Sequence, residues 1–501
     1  MFSLRTLTAV VVLTIGVGVV AGPAAAGTVC VGPKSGCFPQ LQPAIAAAAD
    51  GDTITVAPGT YTGGITIDKS IRVQGAGSGA TVIKGGGPVV TIFRATAPDG
   101  LNVSIDGVSI TGGVNSTQPD PEVTFGGGIW IPTSQLDHPP FNGIGATVAI
   151  SNSEITGNVV TSNSAIPPGF CGPRACGFNS GGGIDNGGAL TLTNSRVTNN
   201  TAGSTSASAS AASDPNSGGI DNRFASTLVV HRSIVSGNHV LANSPIAASA
   251  SAGGIGSPGL LDVEDSVVSD NTVEYTGALV DDADQAGFAG GVLVNQFDFY
   301  PHDPATIRNT LITGNRVIAT NTDTSAFPQG YGGGVVALGA ALFDHVQLTG
   351  NTVQVNGVGL ALGDGGGMEV DAPVTMRDSI VARNSVSVHG QAGAVGFGGG
   401  LAMFGGDLTL ERTLVLANTV SATGAVAPLP FPGGALGGGI SNGGPDVPSA
   451  NLTLTNSVVL GNSLTASTGY VVQGGGVFNG GTVTRTRTLI AGNKPDDCFG
   501  C

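Results

Sequence analysis

One phrase recurs along the chain: a Gly pair, an aliphatic residue, and then a short apolar stretch closed by a single Asn. The aliphatic positions are Ile129, Ile184, Ile220, Ile255, Val292, Val335, Met368, Leu401, Ile440 and Val477. The closing residues are Asn158, Asn200, Asn238, Asn271, Asn315, Asn351, Asn384, Asn418, Asn462 and Asn493. Five of the ten intervals are equal, 16 residues each, as in 200 − 184. From each Asn to the next aliphatic marker the distance varies between 15 and 26 residues, 477 − 462 and 184 − 158 being the extremes. A rigid unit therefore alternates with a tolerant segment, which is the signature of a stacked repeat.

Counting back from each Asn shows what the unit buries. Three residues upstream stands Ile155, Val197, Val235, Val268, Ile312, Leu348, Val381, Val415, Val459 or Ile490. Five upstream is Ser or Thr everywhere except Val346. Eight and ten upstream are apolar, with one lapse at Arg485. The alternation at eight and ten has the period of a strand, and the polar step after it marks a corner. Three short strands per repeat follow: one before the corner, one after it, and one at the Gly-pair aliphatic. Without helix-length apolar patterns the repeats cannot be βαβ units. Strands pair with their own copies one turn away, giving a parallel β-solenoid of roughly 10–13 coils. At about 4.8 Å per coil it forms a rod of roughly 50–60 Å. The ten Asn are expected to stack as an internal amide ladder, satisfying backbone groups at a tight corner. The glycines are expected to supply positive φ or close packing.

Composition agrees with a solenoid and excludes other classes. Of 501 residues 84 are Gly, 41% are apolar and only 10% are charged, which is too regular and apolar for a disordered chain. The net charge of −15 has the wrong sign for a phosphate-tracking partner, so no nucleic acid is expected.

Residues 1–26 have the pattern of a signal peptide: "MFSLR", the apolar "LTAVVVLTIGVGVV", then Ala24 and Ala26 in A-x-A register. The apolar run is shorter than the roughly 20 residues of a membrane span. An exported chain with no membrane contact after signal removal is expected. In an oxidising compartment the local pairs Cys30/Cys37, Cys171/Cys176 and Cys498/Cys501 read as disulfides. The scattered His residues offer no zinc spacing, so neither a metal nor a cofactor is expected. The organisation reads as a cap with first coils over 27–113, repeats over 114–493 and a tail over 494–501. The cap includes an Ala-rich helix at Leu41–Ala49, placed to cover the open end of the core.

The passage from Leu41 to Gly87 resembles the opening of right-handed parallel β-helix proteins of the pectin-lyase-like superfamily. The repeats are similar to those of chlamydial polymorphic outer membrane proteins, with Gly as third small residue and Ile, Val or Leu in place of Phe. The resemblance implies an all-β, right-handed parallel β-helix. The autotransporter barrel of those proteins is not expected here, because the last Asn stands eight residues before position 501.

That superfamily includes enzymes acting on acidic polysaccharides, and their catalytic sets are incomplete here. "NTD" at 321–323 follows "DD" at 281–282 instead of preceding it, and both fall in variable segments read as loops. Asp344 and His345 occupy the ordinary corner register of a repeat. "DFYPHDP" at 298–304 is similar to the DPHD-type segment of mannuronan epimerases. The similarity implies His302 as acid/base, Asp303 as its orienting neighbour and Tyr300 as second proton donor. Trp130, Tyr300 and Tyr331 are the aromatics placed to stack a sugar ring. The expectation is an exported rod with a structural, adhesive or polysaccharide-contacting role at the cell exterior. An alternative is a uronate lyase or C5-epimerase. Its partner would be an extracellular or cell-wall polysaccharide, and the oligomeric state is left open.

Overall fold

The computed structural model describes residues 26–94, 100–116, 123–133, 145–162, 175–205, 211–244, 249–277, 286–294, 304–322, 328–426, 433–443 and 450–501. The signal-peptide segment 1–25, Cys171, Tyr300, His302 and Asp303 lie outside these residues.

The chain winds into a right-handed parallel β-helix whose strands form five all-parallel sheets. Each full coil visits them in order, as the coil from Thr147 to Asn186 shows: Thr147–Ser151 in sheet I, Glu154–Thr156 in sheet II, Val159–Ser162 in sheet III, Ala175–Ser180 in sheet IV and Ile184–Asn186 in sheet V. Sheets I, II and V have 14, 13 and 13 strands, and sheets III and IV have 10 each. Five strands per coil replace the three expected. The tolerant segment after each Asn is in part a second pair of strands, running out on sheet III and back on sheet IV as a stacked fin. Asn321, read as a loop residue, closes the fin strand Arg316–Asn321 and is buried. The residues beside it in sequence, Ala319, Thr320 and Thr322, carry little of the hydrophobic alternation by which a strand is recognised.

Two cores result. Sheets I, II and V enclose Ile, Leu, Val, Met and Phe343, including all ten Gly-pair aliphatics at 0% exposure. The fin has its own thinner core of Val and Ala with Tyr275 and Tyr470. At the first coil the helix Leu41–Ala47 buries Leu41, Ala44 and Ile45 against the main core. Lys69 Nζ donates to the carbonyls of Ile45, Ala46 and Ala48 at the end of that helix, where a cation meets the negative end of the helix dipole.

Each of the ten repeats turns at three residues of positive φ. The first (Asn152, Asn194, His345 and Asp378 among them) stands before the Ser/Thr position, which is Val346 in one repeat, and the second before the ladder Asn (Gly157, Asn199, Gly350, Arg383). The third stands before the Gly pair, as Gly126, Ser217 or Gly365. The Gly pair itself serves close approach. A Cβ on Gly183 would meet Gly219 O at 2.7 Å and Asn200 Nδ2 at 2.8 Å. There the fin's returning strand passes the Asn from which the fin departs. Only hydrogen fits between them.

The Asn side chains link coil to coil. Asn351 Nδ2 donates to Asn384 Oδ1 (3.0 Å) and to Ile312 O (3.1 Å), and its backbone N–H donates to Asn384 Oδ1 (2.9 Å). The same pattern runs from Asn158 to Asn493, where Asp497 Oδ1 takes the place of the next amide (2.9 and 3.0 Å). The Ser/Thr hydroxyls make a parallel ladder, with Ser195 N–H donating to Ser233 Oγ and Ser195 Oγ donating to Thr193 O. Val346 interrupts it. Disulfides join Cys30 to Cys37 and Cys498 to Cys501, at the first and last coils.

Candidate functional site

Where sheet IV returns to the rod, its last residues stand beside the outward middle residues of sheet V. Stacking turns each position into a column along the rod. The sheet IV column runs Phe125, Ser180, Asn216, Ser251, Phe288, Tyr331, Asp364, Phe397, Leu436 and Gln473. The sheet V column runs Trp130, Asp185, Asp221, Gly256, Leu293, Val336, Glu369, Ala402, Ser441 and Phe478. A third column, just beyond sheet V, includes Arg223, Leu338, Asp371 and Phe404. Each of these donates its backbone N–H to the preceding coil, as Asp371 does to Ala337 O. The three columns line a crease between rod and fin.

The crease alternates aromatic and ionisable stations. Phe125 stacks with Trp130 at 6.1 Å between centroids, and the Arg223 guanidinium lies 3.6 Å above the Phe125 ring. Arg223 Nη2 is 2.8 Å from Asp185 Oδ1, and Asp185 has no exposed surface. Ser180 and Ser217 both donate to Asp221. Burial pushes the Asp185 carboxyl up to about 7, with Arg223 opposing that rise and Asp221 adding to it. Farther along, Phe288 stacks on Tyr331 at 5.2 Å.

The next coil brings three carboxyls together. Asp364 has 0% exposure and Glu369 5%, while Asp371 is half-buried. Among the described residues neither oxygen of Asp364 has a hydrogen-bond partner, nor has Glu369 Oε2 or Asp371 Oδ1. Desolvation holds the Asp364 carboxyl far above the usual carboxylate range, and the Asp371 charge adds to it. Glu369 is raised for the same first reason, with Asp364 and then Asp371 contributing. Asp371 is raised by burial to about 6. Tyr331 donates its phenolic hydrogen to Gln329 Oε1 beside this station. Phe397 and Phe404, edge to face at 5.7 Å, follow it. A carboxyl accepts hydrogen bonds when ionised and both donates and accepts them when protonated.

Trp130 and Tyr331, singled out from the sequence as ring-stacking candidates, both stand in the crease. The segment carrying Tyr300, His302 and Asp303 joins the sheet V strand Val292–Val294 to the sheet I strand Ala305–Arg308, outside the described residues. Asp344 and His345 stand at the corner between sheets I and II, where His345 has φ 55°. Their ligand atoms lie within 4.8 Å of Asp378, but Arg412 already grips Asp378 with two bonds of 2.7 Å. The acidic station was missed because Asp364, Glu369 and Asp371 belong to one coil but read as scattered acids. The available signal was Glu369 itself, a charge directly after a buried marker residue.

Cys176 lies in the strand Ala175–Ser180, with its partner position Cys171 beyond the described residues. Among the described residues no helix is long and apolar enough to cross a membrane. No protein-family model matches the chain, and no curated protein matches it either.

Proposed function

We propose that this protein is an exported β-helix that holds an extended polysaccharide along the crease, at the cell exterior. The observation carrying the reading is the alternation of aromatic rings and hydroxyl-matching polar groups along successive coils. A coil rise of about 4.8 Å presents one station per unit of an extended sugar chain. Aromatic faces cover the apolar side of a pyranose, and the half-buried carboxyl of Asp371 offers a partner to its hydroxyls. The superfamily resemblance supports the same substrate class, as does the signal-peptide pattern at residues 1–26.

Trp130 is the one Trp of the chain, so its fluorescence reports the crease directly. Titration with a panel of soluble polysaccharides should shift its emission, and Phe404→Ala should weaken binding about tenfold. Absence of binding to every polysaccharide would remove the reading. A second reading, a carbohydrate-active enzyme, is supported by the raised carboxyls beside Tyr331. It requires new reducing ends or altered sugars on prolonged incubation, lost in Glu369→Gln. The lyase or epimerase form, with His302, Asp303 and Tyr300 in the roles above, is tested separately by His302→Ala.

A further inference from the structure

We propose that the crease selects an uncharged, hydroxyl-rich glycan and rejects uronate polymers; this rests on the reading of the crease as a polysaccharide site. The argument is one of charge balance. The described crease contains five carboxyls, on Asp185, Asp221, Asp364, Glu369 and Asp371, and one cation, on Arg223. That guanidinium is already engaged, paired with Asp185 at 2.8 Å and stacked 3.6 Å above Phe125. A uronate chain would bring one negative charge per ring to a site that has no uncommitted cation among the described residues. Burying such a charge without a partner is strongly unfavourable. Near the acidic station it would also face Asp371 wherever that group is ionised.

A neutral sugar meets a different surface. Its hydroxyls both donate and accept, matching the carboxyl of Asp371, whose Oδ1 has no partner among the described residues. Asp364 and Glu369 are more than nine-tenths buried behind Asp371, so the half-buried Asp371 is the carboxyl of this station that a ligand meets. In front of them Leu338, Asp371 and Phe404 form a half-exposed column on three successive coils, with Tyr331 beside it. An apolar face, a polar gap and an aromatic face suit a ring whose rim is hydroxylated and whose faces are C–H.

The test uses the full chain and pairs each uronate polymer with its carboxyl-reduced form, which keeps the linkage and removes the charge. Uncharged glucans, mannans and xylans complete the panel, read by Trp130 fluorescence and affinity electrophoresis. The expected result is binding at least tenfold tighter to a neutral or reduced polymer than to any uronate polymer. Asp371→Lys, at a half-exposed position, should narrow that gap several-fold, with unchanged far-UV dichroism certifying the fold. Tighter binding to a uronate polymer would overturn this inference and leave the crease reading standing. No binding to either kind would overturn the crease reading itself. A gap unaffected by Asp371→Lys in a folded protein would show that charge at this station does not set the preference, and would also overturn the inference.

Discussion

Asn351 accepts from the backbone and side chain of Asn315 (3.0 Å each) and donates to Asn384 and Ile312, so one amide serves three coils. Asn351→Leu leaves the Asn315 backbone N–H and one hydrogen of Asn315 Nδ2 buried without an acceptor, while the other keeps Val268 O. At about 1–3 kcal/mol per orphaned group the loss should be roughly 2–6 kcal/mol in urea unfolding. Asn243→Leu, at an exposed position on the outer face of the fin, should cost almost nothing. Equal losses would contradict the ladder's energetic role. This residue type was legible in the sequence because the backbone leaves no substitute: the corner needs a donor and an acceptor on a short side chain. The acidic station was not, since its meaning comes from stacking and desolvation. Its carboxyls nevertheless make a pH statement. The folded state holds protons on Asp371 up to about 6 and on Asp185 up to about 7, whereas an unfolded carboxyl releases them near 4. Their contribution is therefore fully present below about pH 4 and is lost as pH rises through about 7, at roughly 1.4 kcal/mol for each tenfold difference in proton affinity between the folded and unfolded chain. Unfolding free energy should fall between pH 5 and 7.5, and Asp364→Asn with Asp371→Asn should flatten that slope. An unchanged slope would mean that these carboxyls are solvated like ordinary surface acids.

At the scale of elements, the rod and the fin differ in what holds them. In the coil from Val374, the sheet I strand Val374–Arg377 buries Val374 and the larger Met376 in the main core, whereas the fin strand Ser385–Gly390 buries Val386 and Val388 in a thinner one. Buried Tyr hydroxyls pin the fin. Tyr470 donates to Ala425 O at 3.0 Å and accepts from Ala394 N–H at 3.1 Å, while Tyr275 makes a similar pair with Gln329. Less apolar area per strand means a smaller free energy of local opening. In hydrogen exchange followed by mass spectrometry, peptides over 385–390 should exchange before those over 374–377. Val355→Asp, which places a charge in the fin core, should release the fin amides while leaving sheets I and II protected. Simultaneous loss of both would make fin and rod one cooperative unit. The same contrast explains which elements the sequence revealed. Strands of sheets I, II and V alternate Val, Ile and Leu with polar residues around fixed corners. A fin segment such as "TAGSTSASASAASDPNSGG" buries Ala202 and Ser204, so its alternation has almost no hydrophobic contrast.

For the whole molecule, a stacked solenoid is consistent with itself at every coil and therefore also with a second copy at either end. An open coil presents a row of unpaired backbone groups and a core cross-section, the combination that propagates edge to edge. The first coil is covered by the helix Leu41–Ala47. The last described coil is handled differently. In its sheet I strand, Thr482–Thr486, Arg485 pairs in register with the buried Leu454, so a charge stands at the inward position that every other repeat gives to an apolar residue. The Cys498–Phe499 strand then adds to sheet V, and Asp497 closes the amide ladder with a group that accepts but cannot donate onward. Leu489 remains 54% exposed and Phe499 43%, leaving an apolar surface on which another coil could stack. An inward Arg must be desolvated for that stacking to occur, which makes it a guard against elongation. Arg485→Val restores the repeat pattern and should convert the chain to a concentration-dependent, end-to-end associating species in sedimentation velocity. Arg485→Lys should behave as the parent does. If the Val variant stays at the parent's sedimentation coefficient up to high concentration, the stapled tail alone is sufficient to close the rod.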